Sequence, residues 1–181
     1  MPRVTKEIKE QIKTLQKNDL EDIVIKFASD KENLDYLMVQ YFDKEDGEKD
    51  LFDDTIAEIN DLRFKRHKGF SDELKMANFL SACTKKINSF TSACRNKKLE
   101  ADLLLYTLEI AFAQTDTSFG TCFTAFDYRV GLMLKRLITI VTTKLHEDYR
   151  IEFVDQINIY LEKLHRSSEH IDMIYEMPKS I

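Results

Sequence analysis

Charged residues interrupt the two most apolar stretches of the chain, among them Asp102 and Glu109 in one and Asp127, Arg129 and Lys135 in the other. An isolated buried charge is very costly, so charges placed in such surroundings must be paired. Glu109 with Arg129 or Lys135 is the preferred bridge, and Glu109, Asp127, Arg129 and Lys135 make up a candidate buried polar cluster. Gln114-Thr-Asp-Thr-Ser-Phe-Gly120, a polar turn, joins the two stretches. A polar turn over a paired core charge serves first as a structural tie. As an alternative it roofs a small-molecule or enzyme site built on Glu109, Asp127 and Arg129 beside Thr115–Thr121.

Other chemistry-bearing patterns lead nowhere. Glu162 and His165 form one Glu-x-x-His pair, half of a carboxylate-bridged di-metal site, and His67, His146 and His170 lack a glutamate three residues earlier. Aligning Gly47 with the sixth position of a calcium loop puts Phe42 and Lys44 where oxygen ligands are required, so Asp43–Asp54 reads as a solvated turn. There is no nucleophile elbow, no phosphate-cradling glycine loop and no Cys/His signature. No cofactor and no metal are expected. Cys83, Cys94 and Cys122 read as small buried hydrophobes.

Charge is unevenly distributed. From Asp30 to Asp61 twelve acids face three lysines, a net of −9, whereas from Arg63 to Lys98 ten bases face two acids, a net of +8. An acidic and a basic face would dock an oppositely charged partner, or the two would neutralise each other within the chain. The densest basic piece, Arg63, Lys65, Arg66 and Lys68, is a candidate basic patch. Its simplest explanation is the end of a helix before Gly69, where cations favour the helix dipole. Nucleic-acid binding through residues 63–98 is a second alternative that needs exposed aromatics among the bases; Phe64 and Phe70 read as core, so a nucleic-acid partner is not expected.

The elements that must position these residues follow from what the chain lacks. Only four glycines and two prolines occur in 181 residues, with Pro2 and Pro178 at the ends. These residues are the usual helix breakers, so long packed helices are the accessible architecture. Apolar spacing gives about eight helical segments. Val4, Ile8, Ile12 and Leu15 form the first stripe; Leu20, Ile23, Val24 and Phe27 the second, with Asn18 as N-cap. Asp30 caps a third. A fourth follows an acidic connection around Gly47 and ends at Gly69. Ser71 opens the fifth, where Met76, Leu80, Cys83, Ile87, Phe90 and Cys94 alternate in steps of four and three. The sixth (about Lys98 to Ala113) and seventh (about Thr121 to Leu145) are apolar almost all round, and belong at the centre. A last long helix carries Ile151 to Leu164 and continues or bends at Ser167. No regular repeat is legible.

The basic first helix, the Asn18-Asp-Leu20 opening of the second and the run Glu100-Ala-Asp-Leu-Leu-Leu-Tyr-Thr-Leu-Glu109, followed by a Thr/Phe/Gly turn, resemble a family of bacterial all-helical domains of unknown function. The resemblance implies a single helical domain and brings no activity or catalytic residue. The expectation is therefore one all-α domain over residues 1–181, stacked as antiparallel helical hairpins in an irregular bundle or short superhelix. Met1 to Glu10 lacks the apolar core of a signal peptide, and Val130–Val141 is too short and too charged to span a bilayer. A cytoplasmic interaction or scaffold protein, binding a protein partner or self-associating, without a membrane partner, is the expected function.

Overall fold

The computed structural model describes residues 4–113, 119–122, 124–168 and 171–181. Among these the chain is all-α, with no strand. The helices are α1 (Lys6–Lys13), α2 (Lys17–Ala28), α3 (Lys31–Leu37), α4 (Lys44–Phe64), α5 (Asp72–Ala93), α6 (Lys97–Phe112), α7 (Ala125–Thr143), α8 (Glu147–Ser167) and α9 (Asp172–Tyr175), with a π-helical turn at Met38–Phe42 between α3 and α4.

Most starts are fixed by side chains that take up the first free amides of a helix. Asp30 Oδ1 accepts from the Glu32 and Asn33 amides, Ser71 Oγ from Leu74, and Asn96 Oδ1 from Lys98 and Leu99. The caps at Asp30 and Ser71 were legible in the sequence. The expected Asn18 cap is not used: α2 begins one residue earlier, and Gln16 precedes it without a side-chain cap bond.

Two glycines do different work from that expected. Gly47 lies buried inside α4, not in a connection, and the π-turn backbone at Met38 would be 3.3 Å from any Cβ there. The acidic run Asp43–Asp54 is accordingly helix, with Asp43 as its N-cap, rather than a solvated turn. Gly69 does not end α4, which stops at Phe64. It sits in the following turn with φ 147°, where a Cβ would meet the Lys75 amide nitrogen at 2.9 Å.

The core is built by α5, α6, α7 and α8. α7 lies against α5, α6 and α8 at once, which makes a bundle rather than an open superhelix. Leu80, Cys83, Ile87, Phe90 and Cys94 are all buried, so the alternating spacing in α5 does mark its inward face. Leu103, Leu104 and Leu108 of α6 and Phe126, Leu134 and Leu137 of α7 are equally sealed. Each such side chain stabilises the fold by about 1.5–3 kcal/mol through removal from water. α8 ends at Ser167, and α9 packs back on α7 and α8.

The N-terminal helices behave differently. Neither α1 nor α2 contains a buried residue. α2 packs chiefly on α3, and α1 takes no part in the main helix–helix packing. Their apolar residues, expected to face inward, face solvent.

Candidate functional site

The sequence-predicted polar cluster does not assemble. Glu109, Arg129 and Lys135 are exposed. Lys135 pairs with Glu176 at 3.1 Å, so neither Lys135 nor Arg129 bridges to Glu109 among the described residues. The reason is azimuth: these three lie on the outward strips of α6 and α7, which do carry polar faces. Asp127 alone is buried, with no exposed surface. Its Oδ2 accepts from the Gly120 amide and from Ser168 Oγ, both at 2.8 Å. It thus fastens the segment before α7 to the end of α8. Gly120 takes φ 70° there, and a Cβ would fall 2.5 Å from the Ser167 carbonyl oxygen. Most of the polar turn, Gln114–Ser118, lies outside the described residues. Arg129 lines only a groove of about 160 Å³ with Thr84, Leu104 and Arg136.

The buried charge pair lies elsewhere. Glu100, 5% exposed in its side chain, opens α6 and receives Arg136 from α7. Arg136 donates through Nε (3.0 Å) and Nη2 (2.7 Å) to Oε1, and through Nη1 to Asn88 Oδ1 of α5 at 2.7 Å. Lys97 donates to the other oxygen of Glu100 at 2.6 Å. Burial pushes the Glu100 carboxyl up, but the bonds from Lys97 and Arg136 outweigh it and hold the group below the usual range. One guanidinium therefore ties three central helices together. A second knot joins Lys98 to Asp102 and Glu152 at 2.8 Å each, with the ammonium 5.1 Å from the Phe153 ring centre. Both arrangements pair their charges within the molecule, as a structural tie does.

Acidic and basic elements also meet inside the molecule. Lys31 pairs with Asp54 and Lys86 with Glu58, each at 3.0 Å, and Ser89 donates to Glu32 at 2.8 Å. The polarity visible in the sequence is in this way partly consumed between α3, α4 and α5. Among the described residues no group of acidic, histidine or cysteine side chains could hold a metal. His165 lies 3.1 Å from the Pro178 carbonyl oxygen. Cys83 and Cys94 are buried as expected, and burial pushes the Cys83 thiol up to about 12, whereas Cys122 is exposed.

The basic patch is a different matter. Arg63, Lys65, Arg66 and Lys68 are all exposed, and none makes an ion pair among the described residues. Only Arg63 belongs to the last turn of α4, so the dipole accounts for one cation and leaves the others unexplained. Phe64 and Phe70, expected in the core, are 85% and 81% exposed. Beside them opens a pocket of about 520 Å³, lined by Arg63, Lys65, Arg66, His67 and Lys75 over Met76 and Phe79.

The fold and these surfaces define an all-helical protein with two conspicuous exteriors, an apolar N-terminal arm and a cationic, aromatic turn. Compared with known proteins, the chain matches no family, no curated protein and no solved structure. No helix among the described residues is long and apolar enough to cross a membrane.

Proposed function

We propose that this protein is an interaction module that assembles with a second copy of itself through the apolar face of α1 and α2. The observation that carries this reading is the exposure of Val4, Ile8, Ile12, Leu15, Leu20, Ile23, Val24 and Phe27, spaced as stripes that a helix normally hides. Exposed apolar stripes of this kind are what an interaction site offers.

Three further features support a second copy as the occupant. α1 has eight residues, and isolated helices below about 12–15 residues are marginal in water, so α1 gains from being packed. Helical spacing sets Lys9 along one flank of its stripe and Glu7 along the other, while Lys13 is paired with Glu10 at 2.7 Å. Two such helices lying in parallel about a two-fold axis bring the acidic flank of one beside the basic flank of its partner. Two-fold self-association is also the commonest assembly of soluble chains, and it needs only one self-complementary patch.

Light scattering on the eluting protein tests the reading. The wild-type chain is expected to run as a dimer, and the double variant Ile8→Glu, Ile12→Glu as a monomer with an unchanged helical circular dichroism spectrum. A wild-type monomer at every accessible concentration would overturn self-association.

A further inference from the structure

We propose that the turn from Arg63 to Phe70 is a binding site for single-stranded nucleic acid. It lies on a different element from the N-terminal arm, so either reading can fail alone.

The sequence here is Arg63-Phe-Lys-Arg-His-Lys-Gly-Phe70, in which cations and rings alternate. The two phenylalanines are largely exposed, and the four cations Arg63, Lys65, Arg66 and Lys68 have no carboxylate partner among the described residues. Phosphate needs the cations and a splayed base needs a ring face, so the two kinds of residue are useful together.

The backbone that carries them is held in place. His67 Nε2 bonds the Leu62 carbonyl at 2.7 Å, and its ring meets Phe79 edge-on at 5.7 Å between centroids. Asn78 donates to the Lys68 carbonyl at 2.7 Å. Gly69 brings the chain so close to α5 that no side chain fits. The turn therefore presents its outward side chains from a fixed frame, and ordering it costs a ligand little. The adjoining pocket of about 520 Å³ has apolar lining from Met76 and Phe79 and a rim of Arg63, Lys65, Arg66 and Lys75 with one acid, Asp72, which Lys75 engages; it has room for one nucleotide inserted from a strand.

Nearby acids narrow the choice of partner. Asp72 is engaged by Lys75 at 2.8 Å, while Glu73 and the exposed Asp61 stay close to the turn in sequence. Further along α4 are Asp50, Asp53 and Asp54. A broad anionic surface such as a membrane or a duplex would meet these acids as well as the bases. A single strand can follow the turn alone, and only unpaired bases expose faces to Phe64 and Phe70.

Fluorescence anisotropy of the full chain with labelled oligo-dT and oligo-U tests the site, with the corresponding duplex, ATP and phosphatidylserine-containing vesicles as separate arms. Single strands are expected to bind, DNA and RNA alike, with affinity falling as salt rises at a log–log slope of about −2 to −3 for four phosphate contacts. Phe64→Ala and Phe70→Ala should each weaken binding by about tenfold, the usual scale for one lost stacking ring. Arg63→Gln with Arg66→Gln should flatten the salt slope. Absence of binding at low salt overturns the proposal. So does binding by ATP or vesicles without the oligonucleotides, or an affinity indifferent to loss of both rings. All these side chains are exposed, so the variants fold.

Discussion

At the scale of single residues, the charge that matters is Glu100 rather than Glu109. Both are glutamates of α6, and it is Glu109 that has the more apolar neighbours in sequence, since Lys97, Lys98 and Asp102 flank Glu100. What separates them is position around the helix: Glu100 faces α7 and meets Arg136, while Glu109 faces water. Composition cannot reveal this, because the partner lies 36 residues away on another element. Arg136→Ala leaves Glu100 buried with Lys97 alone and should cost about 3 kcal/mol, the lower end of the range for breaking a buried pair because Arg136 is partly exposed. Chemical denaturation measures it.

The same pair predicts a pH effect. The folded Glu100 carboxyl binds a proton less readily than the unfolded one, so its contribution is complete above the ordinary glutamate value of about 4.3 and is lost as pH falls through the folded value. Asp102 has the opposite sign. Burial raises its carboxyl, against the pull of Lys98, so its ionised form is a cost at neutral pH that acid relieves. Arg136→Ala should therefore begin to unfold at a higher pH than the wild type in an acid titration. Gly120→Ala makes an independent residue-scale test: with positive φ and the Ser167 carbonyl in the way, it should destabilise by about 1–3 kcal/mol. A neutral outcome would mean that the contact between that turn and the end of α8 is not held.

At the scale of elements, the sequence was most legible where one face is buried by neighbours of the same chain. The alternating steps of α5 and the caps at Asp30 and Ser71 depend on local spacing, whereas the outward polar strips of α6 and α7 were missed. Borders were less legible. α4 runs through Gly47 because the π turn needs close approach there, and a helix interior glycine looks like a break when only the chain is read. The stripes of α1 and α2 were equally readable, but their environment was not. Periodicity says that a face is apolar; it does not say which molecule covers it. For this reason Ile8→Glu with Ile12→Glu should leave the thermal midpoint of the monomer nearly unchanged, within the roughly 0.5 kcal/mol typical of surface changes. The same substitution in a packed helix would be far more damaging.

At the scale of the whole molecule, the contrast between an acidic stretch and a basic stretch is partly resolved by packing, since α3, α4 and α5 pair their charges across shared faces. Among the described residues Asp50, Asp53 and Asp61 of α4 make no ion pair, and neither do the four cations of the turn that follows, which stand beside two exposed rings. Phe64 and Phe70 were misplaced from the sequence because aromatic residues usually bury, and nothing in their spacing says that α4 ends at Phe64. The N-terminal arm is the other surface without an intramolecular explanation. On the proposed self-association, a second copy would lie against these stripes and bring a matching apolar face.

Amide hydrogen exchange across Val4–Ala28, followed as protein concentration is raised, addresses that claim most directly. Protection of α1 and α2 should grow with concentration while α5, α6 and α7 stay constant, because only the arm changes its surroundings on association. Exchange in the arm that is fast and identical at every concentration would contradict the assembly.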